Sequence, residues 1–155
     1  MSTLIRKLAP VLVAAVIAAT AVTLLGPPAQ ATTAGSYGRA AERATNAVRR
    51  AHHLHRLRDD ACLQRHAAAQ ARRMAAQRRM FHQDIVVALR DCHLRSVGEN
   101  VAVGYRTGRG VVRHGWMHSP PHRANILRPG YRLLAVAACK GADGRWYASQ
   151  LFGSR

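Results

Sequence analysis

The chain is 155 residues long and carries a formal net charge of +17, from 24 Lys and Arg against 7 Asp and Glu. The length allows one modest domain with a real core and excludes two. The charge predicts attraction to polyanions, yet 22 of the 24 basic residues are arginine, dispersed with few aromatics and no nucleic-acid motif, so no specific nucleic-acid function is expected.

Arg6 and Lys7 precede an apolar run from Leu8 to Leu25, and Ala29-Gln30-Ala31 fits a small-residue cleavage site. The pattern predicts a secretory signal peptide over residues 1–31 and a single domain over 32–155, a mature chain of 124 residues. An uncleaved membrane anchor is the alternative for a run nearly long enough to span; Pro10 and the cleavage site favour removal. Loss of Arg6 and Lys7 lowers the formal charge from +17 to +15. The expected surface partners are anionic wall polymers and lipid head groups.

Cys62, Cys92 and Cys139 then lie in a compartment that permits disulfides. Cys62–Cys92 is the favoured pair, since it ties a helix to the irregular stretch after it, and closing a loop of about 30 residues stabilises by about 3–4 kcal/mol on a chain-entropy argument. Cys139 ends the apolar run Leu133–Cys139 and reads as a small buried hydrophobe. No cysteine-enzyme motif surrounds any of the three.

Ala40, Ala44, Ala47, Val48, Ala51 and Leu54 recur at three- and four-residue steps and predict a first helix from Tyr37 to about Leu57. A second, capped by Asp59 or Asp60, buries Leu63, Ala67, Ala71 and Met74 and ends at Phe81-His82-Gln83-Asp84. His52, His53, His55 and His66 read as solvated, because their spacing brings no acidic or thiol partner. An apolar stretch, Ile85–Leu89, leads to Cys92. Val97–Gly104 predicts a short strand that points Val97, Glu99, Val101 and Val103 one way. A carboxylate among three valines must be hydrogen-bonded, paired or open to a cleft.

Thr107–Trp116 predicts a third helix with Val111, Val112 and Trp116 inward. Two prolines after Ser119 force a bend and place Pro121 near the start of one short helical turn, which holds the His122 imidazole on a constrained backbone. Tyr131–Cys139 and Arg145–Phe152, joined by a turn at Gly141–Gly144, predict an antiparallel hairpin. Helices packed in layers on a small antiparallel-rich sheet make the expected fold class α+β.

His82, Glu99 and His122 are the candidate chemical set. Two imidazoles and a carboxylate are a ligand set for zinc with one open position, or a base with its orienter. Their separations of 17 and 23 residues match no local metal motif. On spacing alone His82 also reads as a helix cap, Glu99 as an arginine's partner and His122 as a loop residue. No serine-nucleophile elbow or phosphate-binding glycine loop is present.

Beyond spacing, the chain from Asn46 to Phe152 resembles bacterial members of the CAP superfamily, the cysteine-rich secretory, antigen 5 and pathogenesis-related 1 proteins. The residues that carry the resemblance are Asn46-x-x-Arg49, Cys62-Leu63, Phe81-His82, Gly98-Glu99-Asn100-Val101-Ala102, Trp116-Met117-x-Ser119-Pro120-x-His122-Arg123-Ala124-Asn125-Ile126-Leu127 and Tyr147-x-x-Gln150-x-Phe152. The resemblance implies a three-layer α-β-α sandwich with a small antiparallel-rich central sheet and a cleft where His82, Glu99 and His122 converge. It names zinc or another divalent cation as the cofactor such a cleft can hold. No acid lies between Glu99 and Asp143 to supply the second cleft glutamate usual in eukaryotic members, and Pro121 and Ala135 stand where bacterial members often carry glycine. Two functions follow. One is a secreted, monomeric, non-enzymatic module that binds a metal or polar head group through His82 and His122, with Glu99 orienting them and Asn100 and Ser119 shaping the rim. The other is a zinc-dependent hydrolase of peptidase or esterase type, with Glu99 as ligand or base.

Overall fold

A computed structural model describes residues 32–155, so the predicted signal peptide lies outside the described residues. In chain order the elements are α1 (Ala34–Ala51), β1 (Arg58–Asp59), α2 (Ala61–Gln77), α3 (Ile85–Asp91) and β2 (Ser96–Val103). Then come α4 (Gly108–Gly110), α5 (Pro120–Leu127), β3 (Leu133–Lys140) and β4 (Trp146–Ser154). The strands form one sheet in the order β1-β3-β4-β2, antiparallel except where β1 joins β3 in parallel at Leu133 and Leu134.

Because successive side chains in a strand face opposite ways, β3 can serve two layers at once. Leu134 and Val136 meet Tyr37, Ala41, Val112, Trp116 and Ile126 from α1, the α4 region and α5. Leu133, Ala135 and Ala137 meet Leu63, Ala67 and Ala71 of α2 on the other face. This double burial accounts for the unbroken apolar run from Leu133, and it gives the expected α-β-α layering. Each fully buried leucine or phenylalanine contributes about 1.5–3 kcal/mol.

Local signals set the helix starts. Thr33 and Ser36 form a reciprocal capping box at α1, and of the two aspartates offered for α2 it is Asp60 that accepts from Leu63 N–H, at 3.0 Å. Thr107 caps α4 by accepting from Gly110 N–H at 3.0 Å. The predicted third helix nevertheless runs regularly only through Gly110. Val111–Gly115 is wound as π-helix and Trp116–His118 as 3-10 helix, which keeps Val111, Val112 and Trp116 inward.

Four expectations are corrected. α1 stops at Ala51 rather than near Leu57, and its buried face is Tyr37, Gly38, Ala41, Ala44, Thr45 and Arg49, so only Ala44 of the predicted stripe is fully buried. Alanines lie on both sides of this helix, and apolar spacing alone misplaced the face. α2 ends at Gln77 with Arg78 in the left-handed conformation (φ 49°), so Phe81–Asp84 is a loop beyond the helix. The Ile85–Leu89 stretch is the helix α3, capped by Asp84 and burying only Ala88 fully. Cys139 is half-buried, not enclosed.

Cys62 and Cys92 are bonded, joining α2 to the end of α3 across a separation of 30 residues. Replacing both with alanine is expected to lower stability by about 3–4 kcal/mol, read as an earlier urea midpoint with a steeper slope, because the unlinked denatured chain exposes more surface. An unchanged midpoint would show that the link constrains nothing the packing does not already hold.

Candidate functional site

The candidate site is built on β2, an edge strand of the sheet. In antiparallel pairing alternate residues turn their backbone groups away from the neighbour, and on β2 these outward groups belong to Glu99 and Val101. Asn125 Nδ2 donates to Glu99 O and Trp116 Nε1 to Val101 O, both at 3.1 Å, so side chains close this edge.

The Glu99 side chain is 1% exposed and points to the α2 face. Its Oε2 accepts from His82 Nδ1 at 2.8 Å and from Gln83 N–H at 3.3 Å, while Oε1 accepts from Gln83 Nε2 at 2.7 Å and Ser149 Oγ at 2.9 Å. Four donors occupy the lone-pair positions of an anion that can only accept. A metal, or a proton bound for substrate, would have to displace one of them. Since Nδ1 of His82 donates to this carboxylate, the neutral ring carries its free lone pair on Nε2. The His82 side chain is 58% exposed, so that nitrogen meets solvent.

His122 enters from the opposite face, in the first turn of α5, with Pro120 and Pro121 at the first two helical positions. Its carbonyl accepts from Asn100 Nδ2 at 3.1 Å. Burial, and after it the charge of nearby His82, hold the His122 pKa below its usual 6.5. At neutral pH the ring is therefore uncharged and able to bind through nitrogen.

Asn100 is fully buried and does not shape the rim. Its Nδ2 also donates to Gln150 Oε1 at 2.9 Å, its Oδ1 accepts from Asn125 Nδ2 at 2.9 Å, and Gln150 Nε2 donates to Thr45 Oγ1 at 2.8 Å. These contacts join α1, β4, β2 and α5 in one polar network. Ser119 stands half-exposed just before α5, and its hydroxyl makes no capping bond. Gly98 is required beside it all, because a Cβ there would collide with the Tyr131 hydroxyl and lie 3.1 Å from Asn125 Oδ1.

Gln83 and Ser149 were not singled out by sequence reasoning. Ser149 becomes a neighbour of Glu99 only through the strand register, in which Glu99 faces Leu151 and Val101 faces Ser149. His66 also has a partner that spacing concealed, Asp91 Oδ2 at 3.3 Å from its Nε2. His66 lies with Cys62 and Cys92 in a group whose donor atoms fall within 4.8 Å of one another, but both sulfurs are bonded together and offer no thiolate.

The pairing of the imidazoles sets an expected outcome. His82→Ala should raise the His122 pKa toward its usual value, measured from the imidazole proton shifts across a pH titration. A value that stays put or falls would mean that burial alone sets it.

Residues 42–152 match the cysteine-rich secretory protein family, CAP. The chain is 30% identical over 117 residues to YkwD of Bacillus subtilis, a match covering 70% of this chain and 44% of that protein, so the chain spans under half the length of that relative. Among solved structures it resembles an extracellular protein containing an SCP domain from Bacillus anthracis (22% identity, TM-score 0.68, 78% of this chain and 41% of that one). It also resembles a cysteine-rich secretory protein from Staphylococcus aureus (20% identity, TM-score 0.67, 83% and 40%) and an outer surface protein of Borrelia burgdorferi (19% identity, TM-score 0.66, 74% and 89%). The fold is shared with these proteins, and the chain belongs to the CAP family of cysteine-rich secretory proteins.

Proposed function

We propose that this CAP-domain protein is secreted, acts as a monomer and binds a ligand at the β2 cleft without turning it over. The observation that carries the reading is the four-donor shell around Glu99, which makes that carboxylate an orienter of His82. What the cleft offers a ligand is then Nε2 of His82 and the uncharged ring of His122, with Ser119 near the rim. Two imidazole nitrogens suit a divalent cation such as zinc, with water or ligand oxygen completing its shell, or the polar head group of a lipid. A metal there would supply a Lewis-acidic point for an anionic or carbonyl oxygen; Glu99 holds the His82 ring and Asn100 the His122 backbone.

Secretion rests on the leader over residues 1–31 and on the extracellular and outer-surface descriptions of the structural relatives. No helix among the described residues is long and apolar enough to cross a membrane. The basic surface holds the protein near anionic wall polymers, an attachment that salt must weaken. The hydrolase reading needs Glu99 as base or third ligand, and either role costs it a hydrogen bond.

Calorimetry at neutral pH is expected to show zinc binding near one equivalent, lost in His82→Ala and in His122→Ala. Glu99→Gln, which sets an amide NH2 against donors and frees the His82 ring, should weaken binding about 10–100-fold. Turnover of a peptide or ester substrate that both Glu99→Gln and chelation abolish would establish the hydrolase instead.

A further inference from the structure

The other margin of the sheet is finished differently. β1 covers β3 only at Leu133 and Leu134, after which Asp60 turns the chain into α2. Beyond that point the even-numbered residues of β3 still aim their backbone groups away from β4: Leu134 O accepts from Asp60 N–H at 3.2 Å, and Val136 N–H donates to Glu42 Oε1 at 3.1 Å. Val136 O faces Gln64 Nε2 at 3.5 Å. Ala138 is next in the series, and its N–H and C=O have no hydrogen-bond partner among the described residues.

Ala138 opens on a cavity of about 690 Å³ between α1 on one face of the sheet and α2 on the other. Small residues form much of its walls, Gly35 and Gly38 from α1 and Ala68 from α2. Past Arg72 and Cys139 the groove continues into a second hollow of about 460 Å³, lined by Arg78, Lys140 and Gly141. Charge is graded along it. Glu42, Asp59 and Asp60 stand toward the β1 end, with Arg39 of α1 beside Glu42, and Arg72, Arg78 and Lys140 at the far end.

We infer that this groove receives an extended polypeptide segment, which pairs with β3 at Ala138 in line with β1 and sets an acidic end against Arg72, Arg78 and Lys140. Addition of a strand to an open edge supplies affinity through main-chain hydrogen bonds. A paired strand lies about 4.8 Å from its neighbour, and the cavity lies on that side of β3 at Ala138. A second copy of the domain is a poor occupant, because its own β3 edge is recessed between its own helices. The unpaired amide and the charge gradient suit a peptide, which has a matching backbone and can carry carboxylates at one end.

The probe is an acetylated Val-Thr-Val-Thr-Val-Glu-Glu peptide added to the 15N-labelled protein. Binding should shift the Ala138 amide and its neighbours progressively. N-methylation of alternate peptide bonds should weaken it at least tenfold, and so should Ala138→Pro, which removes a donor that faces away from β4. Should that variant fail to fold, the Arg72→Glu, Lys140→Glu double variant carries the test, losing the Glu-Glu peptide and gaining one that ends in Lys-Lys. No shift at Ala138 with millimolar peptide overturns the inference. So do shifts that survive N-methylation, or self-association through the same amides without peptide.

Discussion

A buried carboxylate sets the terms for this fold's functional end. Glu99 lies on a strand between Val97 and Val101, where an unpaired charge would cost several kcal/mol. Three of its four hydrogen bonds come from His82 and Gln83, residues of the loop between α2 and α3. The loop is anchored on its other side by buried Gln70 of α2, whose amide donates to Phe81 O and whose Oε1 accepts from Arg73 at 2.8 and 3.1 Å. Satisfying the anion therefore fixes the loop, and fixing the loop presents His82.

The next residue does the same for the opposite face. Strand alternation sends Asn100 the other way from Glu99, into the network with Gln150, Thr45 and Asn125. Asn100 holds the first turn of α5 at the His122 carbonyl. Arg49, buried in α1, holds the last by donating from Nη1 to Ile126 O at 2.8 Å and Arg128 O at 3.0 Å. Burial lowers the pKa of this guanidinium, but a group so basic remains a cation, and the carbonyl end of a helix carries partial negative charge. Adjacent residues of one strand thus position two imidazoles that lie 40 residues apart in sequence.

This division explains what was legible in advance. Strand β2, the terminal hairpin and the α2 stripe follow from local patterning, and the Cys62–Cys92 pair from the helix and following stretch it ties together. The face of α1 was not, because its buried positions include Thr45 and Arg49, which are inside only by virtue of partners on β4 and α5. The uneven winding from Val111 to His118 was hidden for a related reason: apolar spacing reports which residues go inward, not how the backbone is coiled to bring them there. His82 and Glu99 are drawn out by residue type and by the resemblance, yet what Glu99 does for His82 depends also on Gln83 and Ser149, which no periodicity marks. Asn100, expected at the rim, is buried and ties the first turn of α5 to β2 and β4.

Scarcity of acids constrains the chemistry further. The chain has 7 carboxylate side chains, and six have structural partners. Glu42 accepts from β3 at Val136 N–H, Asp60 and Asp84 cap α2 and α3, and Asp91 meets His66. Asp143 sits in the hairpin turn with Arg145 and the Tyr147 hydroxyl, with a pKa of about 2. Glu99 serves the cleft loop, which leaves Asp59, at the far edge of the sheet beside β3. Asp84, two residues from His82, caps α3 through one oxygen, and Glu99 is held by four donors. The surplus of arginine meets little opposing charge, 24 Lys and Arg standing against 7 Asp and Glu.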